Sequence, residues 1–319
     1  MSRVVDASAS LAGIERAEHV IDPVFRDSPQ FICGPISERL GMSVVLKVEC
    51  VNPIRSFKGR GTGYLLHELG SGGPLVCASA GNFGQGMAYA CGDRGRALTV
   101  FAARAANPLK LERMRALGAE VVLEGEDFDA AKEAARRYAQ QAGHLYVEDG
   151  LWAPIAEGAG TIALELTRMP EALDAIFVPL GNGSLINGIG TWFKQSGLST
   201  RVIGVCSEAA PAMELSWRAG KPVTAPAETI ADGIAVRVPV PEALDLMRST
   251  VDEVMLVSDQ EILAAMRLLL AHAGLVVEPA GAVGLAGIMR RPADFAGGRV
   301  ATPICGGNLT DQQIRDWLY

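Results

Sequence analysis

The sequence predicts an α/β fold built on mostly parallel sheets with helices on both faces. Three observations predict it. Short β-branched runs alternate with helical patterns almost from end to end. Glycine and serine clusters fall where strands should end and helices begin. The chain of 319 residues, 49% hydrophobic and 20% charged, is long and apolar enough to bury one large core or two smaller ones.

In chain order, Val44–Val51 reads as a strand, with a helix beginning near Ser56. Leu75–Ala78 is a second strand, ending in Ser79-Ala80-Gly81-Asn82 before another helix. Leu98–Ala102, Pro108–Leu117, Glu120–Leu123 and Phe128–Gln141 repeat the strand–helix alternation. Ala175–Pro179 runs into a glycine-rich turn and a helix, and Arg201–Ser207 follows. Glu253–Val257 precedes a long helix ending near Ala273, and Val300–Cys305 runs into Gly306-Gly307-Asn308. Such alternation implies right-handed crossovers between parallel strands, with ligands beyond the strands' carboxyl ends. The glycine and serine clusters lie at those ends.

Composition excludes several classes. The formal net charge of −7 argues against non-specific nucleic-acid binding. No apolar run is long enough to span a bilayer, so no membrane partner is expected. The start of the chain lacks a basic stretch followed by an apolar one, so no signal peptide is read there. Cys33, Cys50, Cys77, Cys91, Cys206 and Cys305 form no CxxC pair and read as reduced thiols of a cytoplasmic protein. The histidines are scattered and HExxH is absent, so no zinc site is expected.

Five loops hold residues suited to chemistry. In Val178–Gly188 a strand enters Gly181-Asn182-Gly183-Ser184-Leu185 and then a helix, so backbone N–H groups can converge on one anion. A plain tight turn is the alternative. A dinucleotide fingerprint, with Glu208 as its ribose acid, fails because Ile186 stands at the third glycine, and no Gly-Lys-Ser/Thr completes a nucleotide P-loop. In Ser56–Gly61, Lys58 opens a helix, where its charge opposes the macrodipole. Phe57 and Gly59 give it an apolar, crowded setting in which an amine can attack a carbonyl, an ordinary surface lysine being the alternative. Ser79–Gly84 is suited to hold a carboxylate on hydroxyl and N–H groups. Glu278-Pro279-Ala280-Gly281 is a helix start that simple capping would also explain. Cys305 by itself reads as a small core residue.

Together and in this order, these segments resemble the serine/threonine dehydratase family of fold-type II pyridoxal-phosphate enzymes. The resemblance runs from about residue 20 to the end. It includes Arg115-Ala116-Leu117-Gly118-Ala119-Glu120, Gly160-Thr161-Ile162-Ala163-Leu164-Glu165 and Thr229–Val236. It implies two domains, each a mostly parallel twisted sheet with helices on both faces. Residues 50–146 would form a small substrate domain, and 1–49 with 147–319 a large domain holding pyridoxal 5'-phosphate, with the active site in the cleft. By the same resemblance Lys58 carries the cofactor and removes the substrate's Cα proton. Phe57 neighbours the cofactor and Asn82 bonds the ring's phenolic oxygen. Ser79, Ala80, Gly81, Asn82 and Phe83 bind the substrate carboxylate. Gly181, Asn182, Gly183, Ser184 and Leu185 cradle the phosphate, and Glu278 lies near the ring. Cys305 faces the pyridine nitrogen, where a neutral thiol makes a weaker electron sink than a carboxylate would and favours prompt loss of a β-substituent.

The chain also departs from that pattern. Ile54-Arg55 replaces the usual Thr-Gly, and Arg55 is expected to contact the phosphate or the substrate carboxylate, a solvent-facing arginine being the alternative. Asn182 and Ser184 interrupt the usual glycine run, which φ values must permit. Phe83 replaces histidine and suggests a substrate with bulk on Cβ, such as threonine or phenylserine rather than serine. Ala80 replaces the serine that related racemases use as their second acid–base. Their divalent-metal carboxylates would align with Cys206 and Ala212, so no such metal is expected, with Glu208 the one nearby acid. The sequence runs only a short way past Asn308, so the regulatory domain of allosteric threonine deaminases, and feedback inhibition of that type, are not expected.

The leading expectation is a cytoplasmic lyase that converts an L-3-hydroxy amino acid to a 2-keto acid and ammonia by α,β-elimination. The alternatives are an amino-acid racemase and a non-catalytic cofactor- or amino-acid-binding protein. As in the family, a homodimer is expected.

Overall fold

The computed structural model describes residues 8–319. Residues 1–7, part of the expected large domain and of the stretch read for a signal peptide, lie outside the described residues.

Ten strands form two sheets among the described residues. They are β1 (Gln30–Ile32), β2 (Ser43–Val48), β3 (Leu75–Ala78), β4 (Leu98–Ala102), β5 (Glu120–Leu123), β6 (Leu145–Val147), β7 (Ala175–Pro179), β8 (Arg201–Ser207), β9 (Glu253–Val257) and β10 (Arg299–Ile304). The larger sheet has the order β1-β2-β10-β7-β8-β9 and the smaller one β5-β4-β3-β6. The pairings are parallel except β1 with β2. Val44, Val45 and Leu46 in β2, and Leu75, Val76 and Cys77 in β3, are fully buried whichever face they point to. That is why these strands read as continuous apolar runs rather than alternating ones.

The helices are α1 (Leu11–Val20), α2 (Gly34–Leu40), α3 (Lys58–Leu69), α4 (Asn82–Asp93), α5 (Pro108–Ala116), α6 (Phe128–Ala142), α7 (Ala153–Leu166), α8 (Ser184–Gln195), α9 (Ala212–Ala219), α10 (Pro241–Thr250), α11 (Asp259–Ala273), α12 (Pro279–Arg290) and α13 (Asp311–Leu318). The first expected strand stops at Val48, short of Val51, because the Asn52 side chain takes over the backbone there. Its Oδ1 accepts from the Ile54 and Ser56 N–H groups, and its Nδ2 donates to the Glu49 and Ser56 carbonyls.

Helices α3, α7 and α8 meet almost backbone to backbone. A Cβ added at Gly158 of α7 would lie 2.6 Å from the Arg60 carbonyl oxygen and from Gly61 Cα on α3. One added at Gly188 of α8 would collide with the Ala156 carbonyl and sit 2.6 Å from the Gly160 nitrogen. An ionic knot ties the same region to the large sheet. Arg60 is fully buried and donates to Glu49 from Nε (2.8 Å) and Nη2 (2.9 Å), and to Thr161 Oγ1 from Nη1 (2.8 Å). Glu165 also pairs with Arg60 (2.9 Å), and with Lys47, whose Nζ donates to the Ser28 carbonyl (2.8 Å). Two buried cations are thus matched by two buried carboxylates. Helix α3, although within the 50–146 segment expected for the small domain, is anchored to the large sheet through this knot.

Candidate active site

The carboxyl ends of β3, β6, β7 and β10 open onto one cavity of about 580 Å³. Its wall includes Phe57, Lys58, Ser79, Ala80, Gly81, Asn82, Phe83, Gly181, Asn182, Gly183, Ser184, Leu185 and Cys305. The loops predicted from widely separated stretches of sequence therefore converge, as the carboxyl-end rule for parallel sheets requires.

Lys58 is the first residue of α3, and the turn before it is pinned to the last strand's loop. Ser56 bridges to Gly306, and the Phe57 N–H donates to the Cys305 carbonyl at 3.2 Å. Lys58 Nζ lies 4.8 Å from the centre of the Phe57 ring and 5.7 Å from that of Phe83. Its polar partner is Asp149, at 2.7 Å from Oδ2. The other carboxylate oxygen of Asp149 accepts from Ser184 Oγ at 2.6 Å. One carboxylate thus joins the lysine to the anion loop.

In that loop Gly183 precedes α8 with φ +95°, a left-handed conformation that favours glycine. Asn182 and Ser184 are not among the residues with positive φ, so the side chains that interrupt the glycine run impose no strain. The first-turn N–H groups of α8 have no intrahelical acceptors and point to where an anion would sit.

The Ser79 loop is held by its own hydroxyl. Ser79 Oγ accepts from the Gly81 N–H (3.2 Å) and the Gly84 N–H (2.9 Å), while the Ser79 N–H donates to the Phe101 carbonyl. Of the segment expected to bind a carboxylate, this leaves the hydroxyl proton of Ser79 and the N–H groups near Asn82 and Phe83 at the start of α4. Asn82 is fixed from behind. Its Nδ2 donates to Glu278 Oε1, and its Oδ1 accepts from Asn308 Nδ2 at 2.8 Å. Glu278 is almost fully buried and lies behind Asn82 rather than in the cavity wall. Lys110 stands 3.5 Å from Glu278 Oε2 and donates to Asp232 Oδ2 at 2.6 Å. Burial opposes the charge on Lys110, but Glu278 and Asp232 outweigh it and hold its pKa above the ordinary range.

Cys305 is buried, and its Sγ lies 3.4 Å from the Ala280 carbonyl. Burial, reinforced by Glu278, pushes its thiol far above the usual range, so it stays neutral.

Arg55 is not brought to the site. It is exposed, has φ +50° and does not line the cavity. Burial and then the neighbouring Arg55 charge hold Arg113 below its ordinary range. Its exposure fits the solvent-facing alternative for Arg55 rather than the expected phosphate or carboxylate contact. Glu208 does not line the cavity either and pairs with Arg290 at 2.7 Å.

The sequence reading missed Asp149, Lys110 and Asp232. Asp149 follows a strand of only three residues, and Gly150, with φ +94°, was the available sign of a sharp turn. The cavity also has charged walls away from Lys58. Lys132 pairs with Glu148 at 2.9 Å, and Arg237 pairs with Asp127 at 3.1 Å and with Asp129.

An amine between aromatic rings, an anion cradle at a helix start and a neutral buried thiol fit the three ends of pyridoxal phosphate: aldehyde, phosphate and ring nitrogen. The fold and cavity are those of a fold-type II enzyme of that cofactor. The chain belongs to the pyridoxal-phosphate dependent enzyme family, whose model matches residues 21–306. It is 36% identical over 310 residues to an L-threonine ammonia-lyase of Thermotoga maritima, covering 96% of this chain and 77% of the relative. Among solved structures it resembles maize serine racemase with a TM-score of 0.90 and 25% identity, covering 97% of this chain and 96% of that one. It also resembles the processed form of threonine deaminase isoform 2 from Solanum lycopersicum, with a TM-score of 0.88, 28% identity and 98% and 94% coverage.

Proposed function

We propose that the chain is a pyridoxal-phosphate-dependent ammonia-lyase that removes water from an L-3-hydroxy amino acid and yields a 2-keto acid and ammonia. The observation that carries this reading is the pairing in one cavity of an amine, Lys58, with a methyl group, Ala80. Lys58 can take the Cα proton. A methyl at the position where the related racemases carry serine cannot return one, so elimination is favoured over racemisation.

The bound cofactor supplies the electron sink that acidifies the substrate's Cα–H bond. The chain's own residues do the rest. Lys58 would hold the cofactor through its aldehyde and, once freed, keep the abstracted proton at Nζ. The Gly181–Leu185 loop would anchor the phosphate. The Ser79 hydroxyl and the start of α4 would orient the substrate carboxylate, and Asn82, held by Glu278 and Asn308, would present its amide to the ring oxygen. A neutral Cys305 would leave the ring a modest sink, which favours early loss of the β-oxygen. Residues 50–146 act as the small domain whose closure on 1–49 and 147–319 excludes water.

Phe83 and Phe128 line the cavity together with Tyr146 and suit a substrate with bulk on Cβ. We place the protein in the cytoplasm, as a homodimer. The six cysteines are buried and free, and among the described residues no helix is long and apolar enough to cross a membrane. Sedimentation at micromolar concentration checks the assembly.

The deciding assay offers L-threonine, L-serine and L-threo-phenylserine and follows keto acid, ammonia and the D-enantiomer of serine. Keto acid and ammonia should appear in equal amounts with little D-serine. Racemisation outpacing keto acid would establish the racemase reading. A protein that stays colourless after pyridoxal phosphate is supplied would establish the binding-protein one.

A further inference from the structure

An α,β-elimination of water needs an acid, because hydroxide is a poor leaving group, and no residue has yet been given that task. Several proton donors around the cavity are already engaged. Lys110 is locked between Asp232 and Glu278, and Lys132 is paired with Glu148. The Cys305 thiol is buried against the Ala280 carbonyl. Burial, and then Glu148, drives the Tyr146 hydroxyl well above its ordinary range. Arg237 is held by Asp127 and Asp129. Asp149 is different. Its side chain is 11% exposed, it lines the cavity, and it receives a hydrogen bond directly from the amine that removes the Cα proton. Its second oxygen is fixed by Ser184 Oγ, and a Cβ added at the next residue, Gly150, would lie 2.8 Å from the Asn182 carbonyl. The carboxylate is therefore braced against the anion loop, with one edge turned to Lys58.

We infer that Asp149 is the acid that protonates the departing hydroxyl, and that Lys58 recharges it. The inference rests on the elimination reading above. The amine of Lys58 takes the Cα proton: the Cα–H bond breaks, an Nζ–H bond forms, and the freed electron pair becomes the second Cα–Cβ bond only when the Cβ–O bond breaks. One proton of the resulting ammonium moves along the 2.7 Å hydrogen bond to Asp149 Oδ2. The acid then gives its proton to the β-oxygen as the Cβ–O bond breaks with its electron pair on oxygen. Water leaves, and Lys58 and Asp149 are again amine and carboxylate. No other reactant is consumed.

The test compares leaving groups. Chloride needs no proton, so β-chloro-L-alanine should be indifferent to this acid. In Asp149→Asn, keto-acid formation from L-serine or L-threonine should fall by roughly 10²- to 10⁴-fold, and that from β-chloro-L-alanine by less than about tenfold. Two readouts do not depend on turnover of the hydroxy substrate. The visible absorbance of bound cofactor should be unchanged, and in deuterium oxide the α-proton of L-serine should still exchange, now faster than keto acid forms. Asp149→Glu should restore part of the loss. Ser184→Ala, which frees the far oxygen, should lower the serine-to-chloroalanine ratio in the same direction, and it carries the test if Asp149→Asn does not hold the cofactor. Equal losses on both substrates, or exchange falling together with elimination, would overturn the role of Asp149. If the unmodified chain eliminates neither substrate, it is the lyase reading that fails.

Discussion

Lys58 and Arg60 stand two residues apart on α3, and both are cations paired with carboxylates, yet their surroundings differ in kind. Arg60 is fully buried and bonded to Glu49, Glu165 and Thr161. Burial opposes its charge, but the two carboxylates more than compensate and its pKa rises. Lys58 has a single carboxylate, aromatic rings beside it, and the cavity in front. A charge whose donors are all satisfied fixes a helix in place, whereas one with donors to spare can react. The saturated site makes the reactive one possible, because Arg60 ties the first turn of α3, and with it Lys58, to the large sheet.

The largest break in this comparison is at the reactive end. Lys58→Ala should abolish covalent capture of the cofactor, seen as loss of the protein's visible absorbance, and lower keto-acid formation by on the order of 10⁴ or more. Its unfolding midpoint should hardly move. The opposite pattern belongs to the knot. Glu165→Gln leaves two buried cations facing Glu49 and should cost about 3–5 kcal/mol in urea unfolding. The same substitution sharpens the pH dependence. Burial raises the Glu165 carboxyl, but Arg60 and Lys47 outweigh burial and hold it below the ordinary range. Its stabilisation is thus complete above the unfolded value, about 4.3, and is lost as pH falls through the lower folded value. Acid unfolding followed by circular dichroism should lose this component in Glu165→Gln.

Smaller effects probe two of the positions where the chain leaves its family. Arg55 occupies a left-handed backbone position and makes no cavity contact, so Arg55→Gly should stabilise by about 1 kcal/mol and leave cofactor affinity unchanged. A weaker hold on pyridoxal phosphate in that variant would restore the contact that the geometry denies. Phe83→His should lower the phenylserine-to-serine ratio of kcat/KM by roughly 2- to 10-fold, the scale of one aromatic contact. An unchanged ratio would remove Phe83 from substrate choice.

The positions of Lys58, Asn82, the Gly181–Leu185 loop and Cys305 were legible in the sequence because each follows a strand or opens a helix, and the punctuation there is local. The α/β alternation was legible for the same reason, whereas its division between two sheets came from the family resemblance. What escaped has tertiary causes. Strands β1 and β6 are too short to carry a period, so Asp149, placed by β6, had no visible anchor. Lys110 reads as a surface residue of a polar helix until α5 is seen against Asp232 and Glu278. Arg55 failed for a backbone reason: the glycine usual at its position was the clue to a left-handed turn, and the side chain's charge drew attention from it.

The close contact of α3, α7 and α8 has a consequence for how this protein tolerates change. Gly158 and Gly188 touch no reactive group, yet a single methyl at either would drive against backbone rather than against a side chain able to swing aside. A survey of viable variants should therefore show a second zone of intolerance deep in the helix stack, as strict as the one around the lysine. A reader of that survey without the structure would take it for another catalytic centre. Its true meaning is mechanical: the stack is the bearing on which the reacting amine is mounted, and it has no clearance.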